Sequence, residues 1–219
     1  MKRWFMAAVA ALVLAGCAPK PYWTLTDDKN RRVSSTSFEF NVADGWVRTT
    51  EPRTWDRVAI DGKDQTILLE AMTVTRDGTG LQAITVTRRY ADTAFPTLKK
   101  KSNAQMLAPE VADLYVSELR KRTGLERLSV LSNKPAKVDG KPGFQVVMQF
   151  KNEDGLRIQI VTYGFVDKTG FYTLTYRAPY LYYYDRDLRV FNELVTSFHQ
   201  LKGAFEPPPE IPGWAKLFT

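Results

Sequence analysis

The residue types that carry most enzymatic and metal chemistry are scarce here: 219 residues contain one cysteine, Cys17, and one histidine, His199. A lone cysteine has no disulfide partner within the chain, and a lone histidine cannot build a two-histidine metal site or most histidine-activated nucleophiles. No G-x-S-x-G, H-E-x-x-H, C-x-x-C, phosphate-loop or dinucleotide-binding pattern occurs, so no cofactor and no metal is expected. Asp27 and Asp28 are adjacent carboxylates, but they fall in a polar stretch where no outer ring of partners would orient a bound ion. His199 follows an amphipathic stretch, a common place for an imidazole that answers a helix dipole or solvent. The one catalytic arrangement that spacing leaves open is a pair of carboxylates facing each other across a cleft.

The chemistry available to Cys17 is set by what precedes it. Lys2 and Arg3 lead into an uncharged, mostly apolar run from Trp4 to Ala15, and then small Gly16, the layout of a secretory signal. Those twelve apolar positions span about 18 Å as a helix, short of the roughly 20 residues a bilayer crossing requires. Leu14-Ala15-Gly16-Cys17 resembles the lipobox of bacterial lipoproteins. The resemblance implies that residues 1–16 are a signal peptide and that the Cys17 sulfur becomes a thioether to diacylglycerol, with palmitate-type acylation at the new N-terminus. The alternative is a secreted protein whose stray cysteine falls beside its cleavage site. Ala18 follows the cysteine; an aspartate there would retain an enteric-type lipoprotein in the inner membrane, so the expected residence is the outer membrane, facing the periplasm. Two or three acyl chains hold a protein to a bilayer stably, and a cysteine so used is closed to other chemistry.

With 44% hydrophobic and 25% charged residues, the remainder reads as an ordinary globular domain stabilised by packing alone. The net charge of +7 falls to +5 without Lys2 and Arg3, suited to anionic headgroups but too small to indicate a nucleic-acid partner.

Residues 17–37 are polar, broken by Pro19 and Pro21 and without period, which predicts a flexible tether reaching about 60 to 70 Å if extended. From residue 38 to 203 turn signals recur: Asp44-Gly45, Asp61-Gly62, Asp77-Gly78, Asp139-Gly140, Asp154-Gly155 and Thr169-Gly170. Between them, Phe144 to Phe150, Leu156 to Val161 and Tyr172 to Ala178 alternate with period two and predict an antiparallel meander; Thr66 to Arg76 and Leu81 to Tyr90 predict another hairpin. Only Pro109 to Thr123 and Asp185 to Phe198 have helical period, with Val111, Leu114, Tyr115 and Leu119 striping the first and Leu188, Phe191, Leu194, Val195 and Phe198 the second. Each helix must lay its stripe on a sheet, so the expected class is α+β, a central antiparallel sheet flanked by helices.

Phe38-Glu39-Phe40-Asn41-Val42-Ala43-Asp44-Gly45-Trp46 resembles the opening strand and turn of PsbP-like domains, which share the Mog-type fold, with Ala43 where proline is usual. Phe171-Tyr172-Thr173-Leu174-Thr175-Tyr176, and the helix ending Val195-Thr196-Ser197-Phe198, resemble the closing strand and helix of the same family. The resemblance implies an α/β/α sandwich over roughly residues 38–201 and accessory or binding roles without catalysis.

Two surface features are candidates for binding. Lys99, Lys100 and Lys101 stand between two predicted elements, with Arg88 and Arg89 upstream and Arg120, Lys121 and Arg122 downstream: either a solvated loop or a basic face for anionic lipid or an acidic partner. Tyr180, Tyr182, Tyr183 and Tyr184 lead into the last helix; some are expected in the core, and Tyr182 and Tyr184 are the candidate surface pair. The proline-rich tail, 204–219, holds Trp214, which either docks on the domain or serves as a ligand. Three function classes follow: a membrane-anchored, non-catalytic binding or assembly accessory with an envelope protein partner; a carrier or sensor of a small apolar ligand beside Tyr172, Tyr176 and Phe191; and a carboxylate-dependent envelope hydrolase.

Overall fold

The computed structural model describes residues 23–25, 32–34, 38–42, 45–49, 66–74, 76–77, 81–90, 93–122 and 127–201; Cys17, Asp27, Asp28, Arg122's side chain, Trp214 and the tail lie outside them. Among the described residues eight strands form one antiparallel sheet, in the order Trp23–Leu25, Trp46–Thr49, Thr66–Val74, Ala83–Arg89, Gly170–Pro179, Arg157–Asp167, Lys141–Lys151, Ser129–Val138. They are β1 (Trp23–Leu25), β4 (Trp46–Thr49), β5 (Thr66–Val74), β6 (Ala83–Arg89), β7 (Ser129–Val138), β8 (Lys141–Lys151), β9 (Arg157–Asp167) and β10 (Gly170–Pro179). A second sheet pairs β2 (Arg32–Ser34), β3 (Phe38–Asn41) and β11 (His199–Gln200) in the order β11-β3-β2. Two helices are described, α1 (Ala108–Arg122) and α2 (Asp185–Ser197).

The β7 to β10 meander is longer than the alternation predicts, because Ser129–Val138 joins it as an edge strand. That strand is mostly exposed and hides no apolar set, so a period-two reading has little to detect there. Its hairpin to β8 turns at Asp139-Gly140, both at positive φ (52° and 73°), which aspartate tolerates and glycine favours.

Side chains sort to the two faces by strand parity. Phe144, Val146 and Met148 of β8, with Phe171, pack on Val111, Ala112, Leu114 and Val116 of α1. Tyr172, Leu174, Tyr176 and Ala178 of β10 point the other way, into a core shared with Phe191, Leu194 and Val195 of α2 and with Phe38 and Phe40 of β3. The second face is therefore covered by α2 together with the small sheet, and Phe38–Asn41 sits outside the large sheet. Central β10 is buried on both faces, and its threonines find partners: Thr173 lies 2.6 Å from the Thr87 hydroxyl and Thr175 3.0 Å from Thr162. Gly164 makes room for the core, since a Cβ there would stand 2.4 Å from the Phe144 ring.

Two strands fall inside the stretch read as a tether. Trp23, Thr24 and Leu25 pair with Thr49, Arg48 and Val47 at the edge of the large sheet, and Arg32–Ser34 pairs with β3. Among the described residues, backbone pairing starts at Trp23, six positions after Cys17, within the stretch expected to be a tether. Strand addition at an edge needs only backbone hydrogen bonds, so a polar, aperiodic sequence gives no warning of it.

Candidate functional site

The most exposed large apolar side chains described include Leu181 (73%) and Tyr182 (70%), adjacent residues on the turn between β10 and α2. Pro179 closes β10, and Tyr180–Tyr184 follows as a single wide helical turn broken at its centre. Tyr182 has φ 71° and ψ −51°, a positive-φ γ-turn geometry that a non-glycine residue holds only where its surroundings enforce it.

The enforcement is visible underneath. Tyr176, buried on β10, places its hydroxyl 2.9 Å from the Tyr183 carbonyl oxygen and 2.8 Å from Gln82 Oε1, and its one proton serves one of these acceptors. Burial, with the nearby Asp187 charge, pushes the Tyr176 phenol far up, so that proton stays in place. Tyr184 turns inward and stacks on Tyr176 at 5.6 Å between ring centroids, with 2% exposure. Its expected place on a binding surface is thereby corrected: an apolar ring next to the core gains more by burial than by display.

Four charged groups lock the turn to the β5–β6 hairpin. Asp187, 4% exposed, accepts from Arg76 Nη2 at 2.7 Å and from Arg186 Nη2 at 2.8 Å. Arg186 also donates to Asp77, and Arg76 Nε stands 3.4 Å from the same carboxylate. The Arg186 guanidinium lies 4.9 Å from the Tyr182 ring centroid and 5.2 Å from that of Tyr183. The hydrogen bond from Arg186 holds the Asp77 carboxyl below the usual carboxylate range. Burial of Asp187 opposes its ionisation, but the two arginines outweigh that and lower its pKa too. Asp167 follows the same pattern through Lys141 and Thr169. Their ion pairs and hydrogen bonds thus hold Asp77, Asp187 and Asp167 in the charged form.

The other candidates lie elsewhere. The loop carrying Lys99, Lys100 and Lys101 is exposed and tightly built: the Phe95 N–H donates to the Lys100 carbonyl at 2.7 Å, and the N–H groups of Thr97 and Leu98 donate to the buried Glu118 carboxylate of α1 at 3.0 and 2.9 Å. Phe95 packs on Phe171 at the start of β10, whereas Tyr182 follows its end. The basic loop and the tyrosine turn are thus about 30 Å apart along the sheet and form no single site. Arg88 and Arg89, expected to extend the basic face, are 6% and 2% exposed; their guanidinium groups lie over the rings of Tyr90 and Phe95. Tyr172, Tyr176 and Phe191, expected around an apolar ligand, stack on one another's neighbours (Phe165–Tyr172 at 4.9 Å, Tyr176–Phe191 at 5.7 Å) and occupy the space between sheet and helix themselves.

An open groove of about 510 Å³ runs beside α2, lined by Lys137, Asp139, Tyr163, Asn192, Phe198 and His199. His199 lies in β11 and places Nδ1 2.8 Å from Asp139 Oδ1. Among the described residues no three metal-ligating side chains cluster, and no helix is long and apolar enough to cross a membrane. Sequence reasoning missed Leu181 and the ion cluster. The repeated Arg-Asp pairs at 76–77 and 186–187 were its only trace, and nothing local joins them.

Residues 1–18 match the family model for a prokaryotic membrane lipoprotein lipid attachment site. A comparison with curated proteins finds no match. Among solved structures the chain is similar to the solution structure of cyanobacterial PsbP (CyanoP) from a Synechocystis species, with a TM-score of 0.56 at 11% identity, covering 86% of this chain and 99% of that one. A Bacteroides thetaiotaomicron protein (TM-score 0.43, 11% identity, 79% of this chain and 49% of that one) also matches. So does LpqN, involved in cell envelope biogenesis of Mycobacterium tuberculosis (TM-score 0.37, 10% identity, 81% and 88%).

Proposed function

We propose that this lipoprotein with a PsbP-like fold works as a non-catalytic binding or assembly accessory of the cell envelope, anchored through acyl chains on Cys17 and presenting Leu181 and Tyr182 to a protein partner. The observation that carries the reading is the Leu181–Tyr182 turn: two large exposed apolar residues, one at positive φ, held by an ion cluster around buried Asp187. Strained backbone persists where the surroundings over-determine it, and rigid aromatic side chains beside an arginine are the residues that dominate protein interfaces. Ala18 after the cysteine supports residence in the outer membrane, facing the periplasm.

Co-purification from gently solubilised membranes tests this function. A stoichiometric partner retained by the parent protein and lost from Leu181→Ser/Tyr182→Ser, with the denaturation midpoint unchanged, is the expected result. Turnover of an envelope substrate by the purified protein, abolished by one carboxylate substitution with the fold intact, overturns it in favour of hydrolysis. The anchor has its own check: Cys17→Ser should accumulate unprocessed precursor that takes up no labelled palmitate, and persistent labelling rules out acylation at Cys17.

A further inference from the structure

The entry of the chain into the fold sets which end of the domain meets the membrane. Strand β1 runs antiparallel to β4, with Trp23 opposite Thr49 and Leu25 opposite Val47. β4 in turn has Trp46 opposite Val74 and Arg48 opposite Met72. The chain before Trp23 therefore points toward the sheet end where Thr66, Arg89 and Phe171 are in register, and Trp23 lies about 15 Å short of that end. Five residues lie between Cys17 and Trp23, six Cα-to-Cα steps that reach at most about 22 Å whatever their conformation. Continued in the direction of β1, those residues carry the acyl chains toward the level of that end and away from the end with Tyr182.

That same end carries the basic loop. Arg89, the last residue of β6, donates to the Ala94 carbonyl and covers Phe95, and Lys101 bridges back to Ala94, so Lys99, Lys100 and Lys101 project beyond the strand ends. Lys99 is held at φ 58°, and Glu118 fixes the adjoining backbone, so the three ammonium groups are displayed from a rigid base. Exposed Lys137 and Lys168 stand at this end too, while its carboxylates Asp139 and Asp167 are engaged by His199 and Lys141. The far end instead mixes exposed Glu153, Asp154 and Asp185 with exposed Arg127, Lys151 and Arg157, so its charges offset one another.

We infer that Lys99, Lys100 and Lys101 dock onto the anionic headgroups of the membrane in which Cys17 is anchored, so that the domain stands on its basic end with Leu181 and Tyr182 facing away. This rests on the anchor reading above. Tethering within about 22 Å makes the contact effectively intramolecular, so weak individual charges suffice. Each lysine contributes about fivefold to the docked population, the equivalent of about 1 kcal/mol, and salt screens it.

The test uses the mature acylated protein on phosphatidylethanolamine vesicles, with and without phosphatidylglycerol, and a quencher on the headgroups. Cys17 is the sole cysteine and its sulfur is capped, so a fluorophore attaches uniquely at Thr97→Cys, in the basic loop, or at Leu181→Cys, at the far end. Quenching at Thr97 should exceed quenching at Leu181 severalfold on anionic vesicles. The difference should collapse in high salt, and in Lys99→Gln/Lys100→Gln/Lys101→Gln with unchanged near-UV circular dichroism. Equal quenching at both sites, stronger quenching at Leu181, or a Thr97 signal indifferent to lipid charge overturns the orientation while flotation with the vesicles keeps the anchor. Loss of flotation overturns the anchor and the orientation with it.

Discussion

Replacing Asp187 by asparagine keeps the shape of the side chain and removes its charge, which isolates what the ion cluster contributes. In the native protein its two oxygens accept four hydrogen bonds: from Arg76 Nη2 at 2.7 and 2.8 Å, and from Arg186 Nε and Nη2 at 3.0 and 2.8 Å. Breaking a fully buried ion pair costs about 3 to 5 kcal/mol. Arg76 is 46% exposed and recovers water, while Arg186 is 23% exposed and keeps Asp77, so the expected loss is smaller, about 2 kcal/mol. For a domain of this size that lowers Tm by roughly 4 to 8 °C. The folded-state pKa of Asp187 is depressed, so its stabilisation is fully present above the unfolded carboxyl value, near 4, and is lost as pH falls through the folded value. Urea unfolding of parent and variant should therefore differ at pH 7 and converge as pH drops below about 4. Equal midpoints at pH 7, or a gap that persists unchanged into acid, would refute the charge argument.

Three further outcomes rest on the core and the groove. Gly164→Ala should cost about 1 to 3 kcal/mol by denaturant titration, because the new Cβ meets the Phe144 ring at 2.4 Å, and Phe144→Leu in the same chain should recover part of the loss. Phe191→Ala removes a ring with no solvent exposure, wedged at 5.9 Å from Tyr163 and 5.7 Å from Tyr176, and should destabilise by about 3 to 5 kcal/mol; an unchanged midpoint would mean that α2 does not pack there. His199→Ala should leave partner retention intact, since the exposed His199–Asp139 contact lies on β11, away from the Tyr182 turn; loss of the partner would move the binding surface to the groove.

Much of the fold was legible because its determinants are local. The helices 109–123 and 185–198 are observed as Ala108–Arg122 and Asp185–Ser197, since an amphipathic stripe on a three-to-four-residue period has one efficient way to be buried. The strand alternation in Phe144–Phe150 and Tyr172–Ala178 is likewise observed, each apolar set facing a different helix. The candidate surface was less legible. Tyr182 and Tyr184 look equivalent in sequence, and only the reversal at Tyr182 sends one ring to solvent and the other onto Tyr176. Arg88 and Arg89 look like part of a basic run, yet both are buried, Arg88 over the Tyr90 ring and Arg89 over Phe95, which itself packs on Phe171.

By itself the sequence determined the lipid attachment site at residues 1–18, because the targeting and acylation machinery reads a short linear stretch of charge, apolar length and small residues before Cys17. It determined the turns at Asp139-Gly140 and Thr169-Gly170 for the same reason: backbone preference is a property of one or two residues. Tertiary structure alone decided that β1 adds to β4, that Arg76 and Asp187 meet across 111 residues of chain, and that β1 enters the sheet from the direction of the end carrying the basic loop. Strand pairing and ion pairing are chosen by which arrangement buries the most apolar surface while leaving no charge unanswered. That competition runs over all parts of the chain at once, and no window of neighbouring residues contains it.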